Sequence, residues 1–134
     1  MQNSLLFATE LDKDALTTDY YLSYDLNNES IMYAKNIDEP IYPASVTKVM
    51  TALVLLDYYD FDDIITISLP DGYEYEGKVA YLTSGAQVTI EDILELLLIY
   101  SANDAAYAAA IAVSGDVDLF LGEMNNKAVA IGMT

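Results

Sequence analysis

Strand-forming sequence in this chain is concentrated in one stretch near the N-terminus, and this restricts the folds that the chain can adopt. Residues 20–25 and 31–35 are rich in strand formers such as Tyr and Ile, and the stretch 26–30 between them contains Asn, which tolerates positive φ. The pattern predicts a β-hairpin over 20–35. Because a two-stranded hairpin is marginal by itself and leaves two edges unpaired, helices must flank it or strands from elsewhere must pair with it.

The chain after the hairpin has mainly helical patterns. We predict a helix from Ser45 to about Tyr59, and its apolar residues cover well over half of the circumference, which is typical of a mostly buried helix. These apolar residues are Val46, Val49, Met50, Leu53, Val54 and Leu56. A short strand-like run follows at 64–67. Residues 70–77 are predicted to form a solvated loop, because their acidic residues lack the regular spacing of a calcium-binding loop.

Capping signals divide the rest of the chain into further helices. Thr89 followed by Asp92 is typical of a helix N-terminus with an acidic first turn, and Asp116 is a second N-cap candidate. Gly115 and Gly132 are typical of helix ends. The predicted helices cover 90–100, 104–113 and 117–131, and Ser101-Ala102-Asn103 interrupts the first two.

One hairpin, short strands and four predicted helices give the fold class α+β. The length of 134 residues fits a single domain. Within it we expect a lead-in over 1–19, the hairpin over 20–35 and a mainly helical part over 45–134.

Composition and charge exclude several classes of function. The chain has 22 acidic residues against 5 basic ones and a net charge of −17, which argues against binding to nucleic acid or to anionic lipid. It contains no His and no Cys, so His-based catalysis, His or thiolate metal ligands and disulfides are excluded. Residues 1–10 lack a basic leader, so no signal peptide is expected within this chain.

The pair Ser45 and Lys48 is the first candidate for chemistry. Residues three apart on a helix share one face, and the N-terminus of a helix favours developing negative charge. Burial of Lys48 in an apolar helix lowers the pKa of its amine, which suits a general base for a serine nucleophile. On spacing alone, a plainer interpretation is favoured: Ser45 is an N-cap and the Lys48 side chain extends to the surface.

The second candidate is the sequence Ser101-Ala102-Asn103 between two apolar helices. Both polar side chains can point into one cleft, where Ser101 could pass a proton and Asn103 could hold a substrate carbonyl or steady Lys48. Taken alone, this sequence is more simply explained as a cap of the next helix.

Together, the two candidates and their flanks resemble a known family. Residues 42–53, which contain Ser45 and Lys48, are similar to the nucleophile segment of the serine D-alanyl-D-alanine carboxypeptidases, the low-molecular-mass penicillin-binding proteins of peptidase family S11. Residues 96–106 resemble the Ser-x-Asn motif of that family with its flanks. The hairpin and residues 124–134 resemble the family too, so the likeness runs from about Tyr20 to the last residue.

The resemblance implies a fold, an activity and a set of roles. The implied fold is β-lactamase/transpeptidase-like. Ser45 would be the acylated nucleophile, Lys48 its base, Ser101 a proton relay and Asn103 a substrate-binding residue. The implied substrate is the D-Ala-D-Ala end of a peptidoglycan stem peptide, and β-lactams would inhibit by mimicking it. No metal or cofactor is implied, and the family works outside the cytoplasmic membrane.

The sequence departs from the family pattern in one respect. The third family motif, Lys-Thr-Gly on a strand beside the nucleophile, is absent, because no lysine of this chain is followed by Thr-Gly. In the family, that strand contributes a cation and one oxyanion donor, and further strands of the central sheet accompany it. Losing one oxyanion donor typically lowers turnover about 10²–10³-fold. We therefore expect a fold without its C-terminal strands and little activity. The hairpin edge would pair with a second copy or with a separate C-terminal segment.

Two other functions stay open from the sequence. A β-lactamase or another penicillin-recognising serine hydrolase would share the Ser-x-x-Lys helix. A non-catalytic binding domain would retain the fold without turnover, and the missing third motif is its support.

Overall fold

A computed structural model of the chain describes residues 15–69 and 76–133. Most of the predicted lead-in, and residues 70–75 of the predicted acidic loop, lie outside these described residues. The chain divides into two compact units, one up to Tyr42 and one from Pro43 onward. The assignment of the whole chain to one domain stays a prediction.

The first unit contains the predicted β-hairpin. Strand β1 (Tyr21–Asp25) pairs antiparallel with strand β2 (Ser30–Lys35), and the register shifts at a bulge between Ser23 and Tyr24. The Asp25 carboxylate closes the turn by accepting hydrogen bonds from the N–H groups of Asn27 at 2.8 Å and Asn28 at 3.1 Å. It thereby takes the place of the backbone acceptors that these N–H groups lack in the turn. These hydrogen bonds, with one from the Asn28 side chain as the largest cause, lower the pKa of Asp25. The hairpin prediction is confirmed.

The described residues of the second unit form helices and a small sheet. Helix α1 (Thr47–Leu55) packs against α3 (Asn103–Ser114) and α4 (Val117–Ala130). Helix α2 (Ile90–Glu95) continues into a π-helical turn, Leu96–Tyr100. The core has a large cluster and a small one. Their largest fully buried apolar side chains are Val54, Leu55, Ile67, Ile90, Ile93 and Leu97.

A strand that the sequence patterns did not reveal completes the small sheet. Strand β3 (Ile64–Thr66), which was predicted, pairs antiparallel with β4 (Gln87–Thr89). Three residues are too short to show the alternation that indicates a strand, so β4 is defined by its partner and not by its own sequence.

The caps predicted at Thr89, Gly115 and Asp116 are confirmed. The Thr89 hydroxyl accepts the N–H of Asp92 at 3.1 Å, and the Asp92 carboxylate accepts the N–H of Thr89 at 3.0 Å, which forms a capping box. The Thr89 hydrogen bonds lower the pKa of Asp92. Asp116 accepts the N–H of Leu119 at 3.1 Å, and Gly115 adopts the left-handed conformation after α3.

The first predicted helix is shorter than its pattern indicated and leaves some apolar residues exposed. Residues 44–46 form a 3₁₀ turn, α1 ends at Leu55, and residues 56–58 continue in tight turns. Val46 and Val49 are 68% and 50% exposed, whereas Val54 is 1% exposed. Five of the nine residues of α1 are buried, so the helix is mostly buried as predicted, but its exposed apolar residues lie on a second face that does not pack against the other helices.

The length and hydropathy of a helix decide whether it can cross a membrane. Among the described residues, no single helix is both long and apolar enough to cross a membrane. Only α3 and α4 taken together, across a bend of 86°, reach the required length and composition.

Candidate active site

Ser45 lies in the 3₁₀ turn Ala44–Val46, directly before α1. Ala44 has a φ of +48°, which is rare for a residue with a side chain, and Val46 closes the turn by donating to the Pro43 carbonyl at 3.1 Å. Ser45 itself is exposed. It makes no capping hydrogen bond to the helix, so the plainer interpretation of Ser45 as an N-cap is wrong.

Lys48 lies one helical turn later and is buried, with 8% of the residue exposed. Its Nζ atom lies 3.4 Å from Oγ of Ser45, 3.4 Å from Oγ of Ser101 and 2.7 Å from Oδ1 of Asn103. The structure thus brings all four predicted site residues together around one amine, and the alternative in which Lys48 extends to the surface is wrong. Burial lowers the pKa of Lys48, because removing water disfavours its charged form.

Ser101 reaches the amine because the backbone turns sharply there. It ends the π-helical turn with a φ of +66° and a ψ of +36°, and Ala102 N–H donates across the turn to the Leu96 carbonyl at 2.8 Å. The left-handed conformation is unusual for a residue with a side chain, and such backbone strain is concentrated at functional sites. Neither Ser101 nor Asn103 caps α3, whose N-cap is Ala102 without a side-chain hydrogen bond, so that interpretation is wrong too.

Hydrogen bonds to the segment 76–78 fix the orientation of the Asn103 amide. Its Nδ2 donates to the backbone carbonyl of Glu76, and its backbone N–H donates to the Lys78 carbonyl at 2.7 Å. Because Nδ2 is engaged there, Oδ1 is the atom that faces Lys48. A Cβ placed on Gly77 would come within 3.1 Å of Nδ2, so this segment approaches Asn103 closely.

Two features around Asn103 could hardly be predicted from the sequence. The contact from Glu76 is made by its backbone carbonyl, which every residue has, and Gly77, with a φ of +78°, indicated nothing more than a turn. Lys78 lies over the ring of Tyr100, with Nζ 5.2 Å from the centroid, which is within the range of a cation–π contact.

The arrangement supports chemistry at a serine. A hydroxyl needs a base to become nucleophilic at neutral pH, and a buried amine with a lowered pKa can serve as one. The second hydroxyl, on Ser101, gives the proton a route away from the amine. Within residues 15–69 and 76–133, no group of three or more acidic side chains could hold a metal ion.

Comparison with known proteins gives one consistent result. The model of the D-alanyl-D-alanine carboxypeptidase family matches residues 7–134. A D-alanyl-D-alanine endopeptidase of Pseudomonas aeruginosa is 36% identical over 110 residues, which are 81% of this chain and 36% of that protein. The D-alanyl-D-alanine carboxypeptidase DacF of Bacillus subtilis is 33% identical over 107 residues, 77% of this chain and 28% of the relative. The chain spans about a third of the length of these relatives.

Solved structures agree with the sequence relatives. The D-alanyl-D-alanine carboxypeptidase DacD of Francisella tularensis superposes with a TM-score of 0.79 at 31% identity, over 89% of this chain and 30% of that one. Penicillin-binding protein D2 of Listeria monocytogenes, in its ampicillin-bound form, superposes with a TM-score of 0.68 at 26% identity, over 87% of this chain and 47% of that one. These likenesses confirm the predicted β-lactamase/transpeptidase-like fold class.

Proposed function

Because the chain belongs to the D-alanyl-D-alanine carboxypeptidase family, we propose that it carries the nucleophile and base of a serine hydrolase that removes the terminal D-Ala from peptidoglycan stem peptides. One observation supports this most directly. The Lys48 amine lies within 3.4 Å of the hydroxyls of both Ser45 and Ser101. This proposal includes a location outside the cytoplasmic membrane, where such peptides occur.

Acylation is the first step of the proposed reaction. Neutral Lys48 takes the proton of the Ser45 hydroxyl as Oγ attacks the carbonyl carbon of the penultimate D-Ala. The C–N bond to the terminal D-Ala breaks, and a proton delivered through Ser101 leaves with its amine. Ser45 then carries an ester, which water hydrolyses to regenerate the hydroxyl. The reaction needs no oxidant and no cofactor.

We propose that Asn103 steadies Lys48 in this reaction. Both ends of its amide are engaged, Oδ1 by the Lys48 amine and Nδ2 by the Glu76 carbonyl. This geometry supports positioning of Lys48, and because an amide nitrogen has two N–H groups it is also compatible with binding of a substrate carbonyl.

We propose weak or no turnover for this chain alone. A carboxypeptidase must hold the substrate carboxylate and stabilise the oxyanion, and the family motif that does both is absent from the sequence. Losing one oxyanion donor lowers turnover about 10²–10³-fold. The hairpin edge is the proposed pairing surface, for a second copy of the chain or for a separate C-terminal segment.

A β-lactam is the best probe of this site, since the ampicillin-bound D2 protein is a structural relative. The protein is incubated with a fluorescent penicillin and its intact mass is measured. We expect an adduct on Ser45, none with Ser45→Ala, and an unchanged adduct with Ser23→Ala, which alters an exposed serine on β1. No adduct on a protein with native circular dichroism would contradict acylation by this chain alone and would favour a non-catalytic binding domain or a catalytic domain that depends on the third motif.

Turnover of a chromogenic cephalosporin distinguishes the remaining alternative. A carboxypeptidase holds the penicilloyl ester for a long time, so its adduct persists. Many turnovers per second would favour a β-lactamase, and the persistent adduct would contradict it.

A further inference from the structure

Asp104 is a buried acidic residue that the proposed reaction does not use. It directly follows Asn103, and only 2% of it is exposed. Ala102, not Asp104, is the N-cap of α3, and the Asp104 side chain reaches residues more than twenty positions earlier. Oδ1 accepts the N–H of Ala80 at 2.9 Å, and Oδ2 accepts that of Leu82 at 2.9 Å. Oδ1 also accepts the N–H of Ala105 at 3.1 Å.

The segment Glu76–Leu82, here called the flanking segment, is attached to the start of α3 at alternate residues. Its first two attachments are carbonyls that accept from Asn103, and its last two are N–H groups that donate to Asp104. The attached residues are Glu76, Lys78, Ala80 and Leu82. Two neighbouring residues of α3 therefore hold the segment at four points along its length.

The flanking segment needs this support, because its backbone is strained between the two Asp104 contacts. Tyr81 has a φ of +58° and is 85% exposed. A bulky residue adopts that conformation at a free-energy cost and keeps it only where the surroundings impose it. The two Asp104 hydrogen bonds lie on either side of Tyr81 and impose it.

We propose that Asp104 is a positioning residue for the Ser45–Lys48 site, acting through the flanking segment and Asn103. The proposal rests on the proposed function. Asp104 holds the backbone N–H groups of Ala80 and Leu82 in place. Because the Glu76 carbonyl lies at the other end of the same segment, its position is held as well. That carbonyl holds Nδ2 of Asn103, so that Oδ1 stays directed at the Lys48 amine.

Asp104→Asn tests the proposal with little change of volume. An amide side chain offers one acceptor oxygen instead of two, so at least one of the Ala80 and Leu82 hydrogen bonds is lost. We expect faster hydrogen exchange at these two amides by about threefold to tenfold, the size of one lost hydrogen bond. The side-chain amide signal of Asn103 should also move in the NMR spectrum. Asp118→Asn, which removes an exposed charge on α4, is the matched control and should change neither.

Acylation kinetics provide the readout that a purely structural role would not give. With a fluorescent penicillin, the first-order acylation constant of Asp104→Asn should fall about tenfold, while the affinity of the complex that precedes acylation stays the same. Unchanged exchange at Ala80 and Leu82 would overturn the proposed attachment. Faster exchange with an unmoved Asn103 signal and an unchanged acylation constant would overturn the link to the site.

Failure of the proposed function is distinguishable from failure of this inference. If the unmodified protein forms no adduct, the proposed acylation of Ser45 in this chain fails, while the exchange rates and the Asn103 signal still decide whether Asp104 positions Asn103. If Asp104→Asn does not fold, Tyr81→Gly tests the same attachment. Glycine relieves the strain at φ +58°, so exchange at Ala80 and Leu82 should slow, and faster exchange would contradict the imposed strain.

Discussion

Nζ of Lys48 lies 2.7 Å from Oδ1 of Asn103, although 55 residues separate them in the sequence. Helix α1 contributes the amine, and the start of α3 contributes the amide. The contact is also the shortest that the amine makes with the other site residues, since both serine hydroxyls lie at 3.4 Å. The position of the proposed base therefore depends on Asn103 at least as much as on the serine beside it.

Replacing Lys48 by Met should abolish acylation with little loss of fold. Methionine fills a similar volume but cannot accept a proton, and a positioned general base typically contributes about 10²–10⁴-fold. We expect the rate of penicillin labelling of Ser45 to fall by at least about 10²-fold. Intact mass against time measures it, with thermal unfolding as the control for fold. Labelling at the original rate would exclude Lys48 as the base.

The lowered pKa of Lys48 gives the acylation rate a defined pH dependence. Only the neutral amine accepts a proton, so the rate should rise as pH increases through the folded-state pKa, which lies below the ordinary value of 10.5. A penicillin-labelling rate measured between pH 6 and about 10 checks this. A rate that falls over this range would contradict the assignment of the base.

The lowered pKa of Lys48 also makes the free energy of unfolding depend on pH, and proton binding to the folded and unfolded chains gives the direction of that dependence. With a depressed folded-state pKa, the unfolded chain binds more protons at Lys48 than the folded chain does, so this residue makes the free energy of unfolding rise with pH. The rise occurs between the folded-state pKa and 10.5. In urea titrations, Lys48→Met should lack this contribution, and an identical pH dependence of both proteins would contradict it.

The parts of the structure that the sequence predicted depend on residues close together in the chain. The hairpin turn, the Thr89 capping box and the shared face of Ser45 and Lys48 each involve residues within a few positions of one another. Local spacing determines such features, since helix and strand periodicities place near neighbours directly. The Ser-x-Asn sequence was located in the same way, and its likeness to a family motif supplied its connection to Lys48.

The parts that the sequence did not predict depend on contacts between distant residues. Asp104 accepts hydrogen bonds from residues 22 and 24 positions earlier, and nothing in its neighbourhood distinguishes it from a helix cap. Strand β4 exists because β3 lies beside it. The buried face of α1 is decided by where α3 and α4 pack, and periodicity alone does not reveal which of two apolar faces that is.

Leu55 and Val49 test which face of α1 is packed. Leu55 is 0% exposed in the core, so Leu55→Ala should lower the free energy of unfolding by about 2–5 kcal/mol. Val49 is 50% exposed, so Val49→Ala should change it by less than about 0.5 kcal/mol. Urea unfolding of both variants measures the difference. Equal losses would show that the exposed face of α1 is also packed in solution.

Gly77 should be intolerant of a side chain because of its contact with Asn103. Its φ of +78° favours glycine, and an added Cβ would lie 3.1 Å from Nδ2 of Asn103. Gly77→Ala should therefore push the flanking segment away from the amide, destabilise the fold by about 1 kcal/mol and slow the labelling of Ser45. Gly85→Ala is the matched control, since Gly85 also has a positive φ of +91° but nothing within 4 Å of the added Cβ. Both variants carry the backbone strain, so only Gly77→Ala should slow labelling, and equal labelling rates would contradict the steric effect on Asn103.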